Sequence, residues 1–145
     1  LQKGFTSYLV KEGTEYIQEE MNSILLRTYG KFGVSFEQTR SGVEYYYTSP
    51  TNDKLCSVNT LSGYEKCVFA VSQRLALLSL QENIKFLICD EIDSDANEEY
   101  SIELYENILK EDLDQVFIIT HHNATKEFIA NKGATVVEME NGNSI

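Results

Sequence analysis

Apolar and polar positions along this chain change their period several times, and each change predicts an element. Between residues 6 and 29, Tyr8, Leu9, Tyr16, Ile17, Ile24 and Leu25 recur loosely at helical spacing, with Glu15, Glu19 and Glu20 between them. This predicts a helix, with Gly13 as an interruption or a start point. Residues 34–37 and 43–48 are rich in aromatic and β-branched side chains, and the first stretch alternates. With Ser41-Gly42 as the turn, they predict a β-hairpin. Residues 49–59, which hold the single proline, Pro50, read as a polar loop. Behind it, Val68, Phe69, Val71, Leu75, Ala76 and Leu78 return to helical spacing, up to Leu80.

The second half alternates strand and helix. Residues 86–89 and 116–120 are short continuous apolar runs, the form taken by strands of a parallel sheet covered on both faces. Residues 93–99 form an acidic loop leading into a helix over 98–109. A short helix over 125–131 is ended by Gly133, residues 134–139 read as a last strand, and Asn141-Gly142 signals a turn. The expected class is α/β, with a mainly parallel sheet flanked by helices, preceded by a helix and a hairpin.

Composition narrows this picture. The chain has 145 residues, enough for one domain with a sizeable core, and no apolar run approaches a membrane span. Its formal net charge of −11 is the wrong sign for a chain that grips DNA alone, so any DNA surface would be supplied by a partner. The same acidity suits a solvated cytoplasmic domain. Cys56, Cys67 and Cys89 have no CxxC spacing and read as buried free thiols in a reducing compartment rather than as zinc ligands.

Three stretches carry candidate chemistry. In Leu61-Ser62-Gly63-Tyr64-Glu65-Lys66, Ser62 and Gly63 stand at a helix N-cap and Glu65 follows at capping-box spacing. Such a helix end can hold a phosphate, although a Ser-capped amphipathic helix is more often only a helix. Phe86-Leu87-Ile88-Cys89-Asp90-Glu91 is a strand ending in two acids. Asp90, projecting from the carboxyl edge of the sheet, is placed to hold Mg²⁺ through water, and Glu91 to orient or deprotonate an attacking water. Val116-Phe117-Ile118-Ile119-Thr120-His121 ends in a histidine that could donate to a phosphate. Read singly, the acids and the histidine are as well explained as solvated strand ends. His122 reads as exposed and idle, and Asp93, Asp95, Glu98 and Glu99 as a solvated face. Gly30-Lys31-Phe32 fails as a P-loop, with Leu25 where the first Gly is needed and Phe32 where Ser or Thr is needed. Tyr45-Tyr46-Tyr47 reads as a strand with one ring inward, with a base-stacking platform as the alternative.

Taken in order, the three stretches resemble the signature motif, Walker B strand and switch histidine of the C-terminal half of an ABC-type ATPase head, from about Val58 onwards. Tyr64-Glu65 and Gln73-Arg74-Leu75-Ala76-Leu77 depart from transport ATPases and are most similar to the SbcC family of double-strand-break repair ATPases, in a form resembling phage and viral members. The resemblance implies ATP and Mg²⁺ as cofactors and a missing N-terminal lobe that carries the P-loop. It also implies a second identical head whose nucleotide is met by Leu61, Ser62, Gly63, Tyr64 and Glu65, a metal-dependent nuclease subunit, and DNA bound by the assembly. Residues 1–29 would be the foot of a coiled-coil arm, 30–60 the hairpin and loop, and 61–145 the catalytic lobe of one domain. Ala96-Asn97 stand where the family has Leu-Asp in the D-loop, so Asn97 would approach nucleotide without a charge. Arg74 would couple nucleotide state to the arm or pair with a surface acid. An SMC- or RecF-like clamp and a transporter fragment are the competing readings.

Overall fold

A computed structural model describes residues 2–39, 42–49, 52–140 and 143–144. The predicted features at Ser41, Pro50 and Asn141-Gly142 lie outside the described residues. The chain divides into two compact units, Leu1–Lys85 and Phe86–Ile145.

The first unit begins with helix α1, Gln2–Thr28. It runs straight through Gly13, which has open space around it, so that glycine neither interrupts nor starts the helix. Met21, Ile24 and Leu25, one helical face, are buried. The helix stops at Gly30, whose left-handed φ of 66° lets its N–H return to the Leu25 carbonyl at 2.8 Å. Strands β1 (Gly33–Gln38), β2 (Val43–Ser49) and β3 (Asn52–Ser57) form an antiparallel sheet in that order. The hairpin is therefore present, and a third strand stands where a polar loop is expected. Strand β3 has no apolar pattern to announce it. It is held by backbone pairing to β2, with Tyr46 opposite Ser57 and Tyr47 opposite Cys56 and a register shift before Ser49.

Two-residue periodicity puts Tyr45 and Tyr47 on one face of β2, not one tyrosine alone. Tyr45 meets Phe36 and Phe69 edge-on, Tyr47 meets Phe32, and the Tyr46 hydroxyl donates to Glu44 at 2.7 Å. After a single 3₁₀ turn, Val58–Thr60, helix α2 (Gly63–Ser79) packs on α1. It buries Val68, Leu75, Ala76 and Leu78 together with Ser72, whose hydroxyl is satisfied by the Phe69 carbonyl at 2.8 Å.

The outer edge of β1 is closed by α1 through side chains. Asn22 accepts from the Val34 N–H at 2.7 Å and donates to the Val34 carbonyl at 2.9 Å, and Gln18 accepts from the Phe36 N–H at 2.7 Å. Two amides thus take the hydrogen bonds that a further strand would otherwise supply.

The second unit contains β4 (Phe86–Asp90), α3 (Glu98–Ile108), β5 (Gln115–Ile119) and α4 (Asn123–Asn131). The two strands pair in parallel, Ile88 beside Phe117 and Asp90 beside Ile119, and α3 packs on α4. The expected cover on both faces is not what this chain builds. Leu87 and Cys89 are buried, but Phe86, Ile88, Phe117 and Ile119 on the opposite face are 39%, 58%, 48% and 50% exposed. The strand predicted over 134–139 is a strand only from Met139: β6 (Met139–Glu140) pairs antiparallel with β7 (Asn143–Ser144). Residues 134–138 have no regular structure, and a strand needs a partner for its backbone. All three cysteines are thiols, with Cys89 buried and Cys56 and Cys67 half-buried.

Replacing Asn22 by Ala leaves both partly buried polar groups of Val34 without their partner. The expected loss is about 1–3 kcal/mol of stability, read from urea unfolding midpoints, whereas the exposed Glu19→Ala should change little.

Candidate functional site

The predicted site residues fall in both units. In the first unit they gather at the start of α2. Ser62 has extended backbone angles and caps the helix: its hydroxyl accepts from the Glu65 N–H at 3.3 Å. The Glu65 carboxylate accepts from the Ser62 N–H at 2.9 Å and from the Ser62 hydroxyl at 2.7 Å, completing the capping box read from the sequence. Ser62 and Gly63 are exposed, Tyr64 and Glu65 half-buried, and Leu61 buried as the anchor beneath the turn. Arg74 lies exposed further along the helix.

Sequence reasoning passed over the residue that braces this turn. Tyr29, just past α1, meets Tyr64 edge-on with ring centroids 5.8 Å apart, and Lys31 lies 4.8 Å over the Tyr29 ring. An aromatic residue directly after an amphipathic helix and before a glycine was the available signal. The backbone and then the hydroxyl of Ser62 hold the Glu65 carboxyl below the usual glutamate range against the opposing effect of burial, and the Lys31 charge and the Tyr29 hydroxyl add smaller contributions in the lowering direction.

In the second unit the chain places Asp90 at the last position of β4, exposed, on the same face as Phe86 and Ile88. Glu91 follows in a left-handed conformation, φ 48°, unusual for a residue with a side chain. Its N–H continues the parallel ladder to the Ile119 carbonyl at 2.9 Å. The reversal turns its carboxylate to His121, two residues beyond the end of β5, with Oε1 2.7 Å from Nε2. The two residues read separately from the ends of two apolar runs are thereby brought together.

Two readings change. Asp93 is not part of a solvated acidic face; it is buried, and its carboxylate accepts from the hydroxyls of Ser101, Thr120 and Tyr105 at 2.6, 2.7 and 3.2 Å. His122 is not exposed and idle; it is half-buried, with Nε2 3.2 Å from the Asp93 carbonyl oxygen. Asn97 caps α3, accepting the Tyr100 N–H at 2.8 Å. The polar pair Ser101 and Tyr105, four apart on the otherwise apolar face of α3, was the sequence signal for a buried acceptor. Among the described residues no helix is long and apolar enough to cross a membrane.

A parallel pair of strands with acids and a histidine at its carboxyl end, and helices in the same unit, defines an α/β arrangement with polar groups at the sheet edge where ligands sit in open α/β folds. The solved structures to which the chain is similar make this specific, and the fold is that of an SMC-type ATPase head. A chain described in terms of ATP-driven dimerization and DNA-stimulated activation of SMC ATPases has a TM-score of 0.71 at 16% identity, covering 96% of this chain and 86% of that one. The Smc head domain of Pyrococcus furiosus, solved with an extended coiled coil and bound to the C-terminal domain of ScpA, has a TM-score of 0.64 at 16% identity over 90% of this chain. The SMC head domain from Thermotoga maritima has a TM-score of 0.57 at 22% identity over 97% of this chain. The chain spans only 33% and 49% of the latter two. No family model and no curated protein matches the sequence.

Because the Glu65 carboxyl is held low in the fold, its cap contribution is present above the ordinary glutamate range, near pH 4.3, and is lost as the pH falls through the lower folded value. Urea midpoints measured against pH should therefore show an acid-side loss that is reduced in Glu65→Gln. Parallel curves for the two proteins would contradict this assignment.

Proposed function

We propose that this chain is the signature, Walker B and switch-histidine lobe of an ATP-hydrolysing head. The observation that carries the reading is the Glu91–His121 pair at the carboxyl ends of two adjacent parallel strands, beside Asp90. In this role Glu91 polarises the attacking water and His121 meets the γ-phosphate. Asp90 would hold Mg²⁺ through water. A single carboxylate is enough where the phosphates and a P-loop hydroxyl supply the remaining oxygens, and the ion would neutralise phosphate charge.

Ser62 and the Gly63 N–H would receive the γ-phosphate of ATP held by a second copy of the head. That requires the Ser62 hydroxyl to turn away from Glu65, its present acceptor. Tyr64 and Glu65 would shape the entry. Asn97, at the start of α3, would approach nucleotide in its own right.

A P-loop lobe is the partner this reading needs first. The open apolar face formed by Phe86, Ile88, Phe117 and Ile119, and the unpaired stretch holding Val136 and Val137, are the surfaces a sheet-completing lobe would cover. With two heads assembled, the motif resemblance favours an SbcC-like machine acting with a metal-dependent nuclease on DNA ends. The second reading is an ATP-gated clamp, favoured by the similarity to SMC heads, two of which were solved with ScpA domains bound. The chain's charge of −11 fits either reading if the DNA contacts belong to the assembly.

ATP turnover tests the proposal. It is expected from this chain mixed with a P-loop lobe of its own head and absent from the chain alone. Glu91→Gln in the mixture should lower it roughly 10²–10⁴-fold. Turnover by the isolated chain, or an unaffected Glu91→Gln, would remove the assignment. Co-purification of a phosphoesterase-type subunit, or its absence, separates the nuclease reading from the clamp.

A further inference from the structure

We propose that Asp93 is a positioning residue for the Glu91–His121 pair: by holding Thr120, its buried carboxylate fixes the strand end that carries His121. The inference rests on the roles given above to Glu91 and His121, and it concerns what keeps them together.

The pair does not orient itself. The His121 side chain is 82% exposed and that of Glu91 48%, and a polar contact so open to water is too weak to hold two side chains in one geometry. Each partner must be placed from behind. For Glu91 the backbone does this, through its N–H to the Ile119 carbonyl and its left-handed turn.

His121 lies beyond the last residue of β5, so the strand ladder does not reach it. Its two neighbours are tied instead. The Thr120 hydroxyl donates to Asp93 Oδ2 at 2.7 Å and accepts the His122 N–H at 3.1 Å. His122 Nε2 lies 3.2 Å from the Asp93 carbonyl oxygen, and because that oxygen can only accept, Nε2 carries the proton.

Asp93 is a rigid anchor for these contacts. It is 1% exposed. Ser101 donates to Oδ2 at 2.6 Å and Tyr105 to Oδ1 at 3.2 Å. Since the Ser101 proton goes to the carboxylate, the Thr125 hydroxyl, 2.6 Å away and fully buried, must donate to Ser101. The Asp93 carboxylate thus joins α3, α4 and the end of β5 through hydroxyls. A carboxylate in such a network accepts strong, directional bonds, and removing one donor or acceptor leaves a buried group unpaired. Asp93 touches neither Glu91 nor His121 through its side chain in any of these contacts, so it acts through Thr120.

The test reads His121 directly, in the full chain, at one fixed pH and without nucleotide. The imidazole ¹⁵N and ¹H signals of His121 are compared in the wild type, in Glu91→Ala as the reference for a lost pair, and in Thr120→Val, Thr120→Ser and Asp93→Asn. Thr120→Val keeps the shape and removes the hydroxyl; it should lose the paired signal and move His121 most of the way to the Glu91→Ala position. Thr120→Ser restores the hydroxyl and should restore the wild-type signal. Asp93→Asn should behave as Thr120→Val, and if it fails to fold the threonine series decides. A folded Thr120→Val with the wild-type His121 signal would overturn the proposal. So would a His121 signal indifferent to Glu91→Ala, since no pair would then exist to be positioned. Neither result depends on turnover, so failure of the ATPase reading is seen separately in the hydrolysis experiment.

Discussion

Two parallel strands can satisfy one another's hydrogen bonds along a shared edge, but they cannot cover their own two faces. That constraint governs the second unit. Leu87 and Cys89 are buried on one face, while Phe86, Ile88, Phe117 and Ile119 lie open on the other. Four large apolar side chains at the surface of so short a sheet oppose the hydrophobic effect. The same side carries Asp90 at its carboxyl end, so that acid sits at the rim of the uncovered face. Residues 134–138, without regular structure, are consistent with a sheet that a further segment would extend.

The first unit has the opposite character, because it closes its own boundaries. Gln18 and Asn22 seal the edge of β1, and the rings of Tyr45 and Tyr47 are packed against Phe36, Phe69 and Phe32. At the head of α2, Glu65 supplies the negative charge that a helix N-terminus attracts. A phosphate at Ser62 would therefore compete with an internal carboxylate, itself steadied by Lys31 and Tyr29 from just beyond α1. The cap is both the reason the helix starts where it does and the obstacle an incoming anion meets.

The exposed candidate groups in this protein are held by interactions made elsewhere. Glu91 and His121 face water, where their mutual attraction is screened, yet one is turned by a left-handed backbone and the other is flanked by residues anchored on a buried carboxylate. Ser62 is exposed as well, and is set by the capping box. In both units the precision comes from hydrogen bonds of side chains to backbone or to hydroxyls.

Local pattern was sufficient wherever an element depends on its own residues. The capping box at Ser62 and Glu65, the two apolar runs ending at Asp90 and before His121, the hairpin and the Gly133 stop were all legible, because spacing and turn chemistry act over a few positions. Tertiary structure alone decided what depends on distant partners. The polar stretch Asn52–Ser57 became a strand because β2 offered it a ladder, and residues 134–138 did not because nothing in the described chain pairs with them. Asp93 was indistinguishable from its acidic neighbours in sequence, since its burial is set by Ser101, Tyr105 and Thr120, residues eight to 27 positions away. The apolar runs announced strands fit for cover on both faces; only the fold revealed that this chain covers one, because face-to-face burial is a property of what packs against a strand and not of the strand itself.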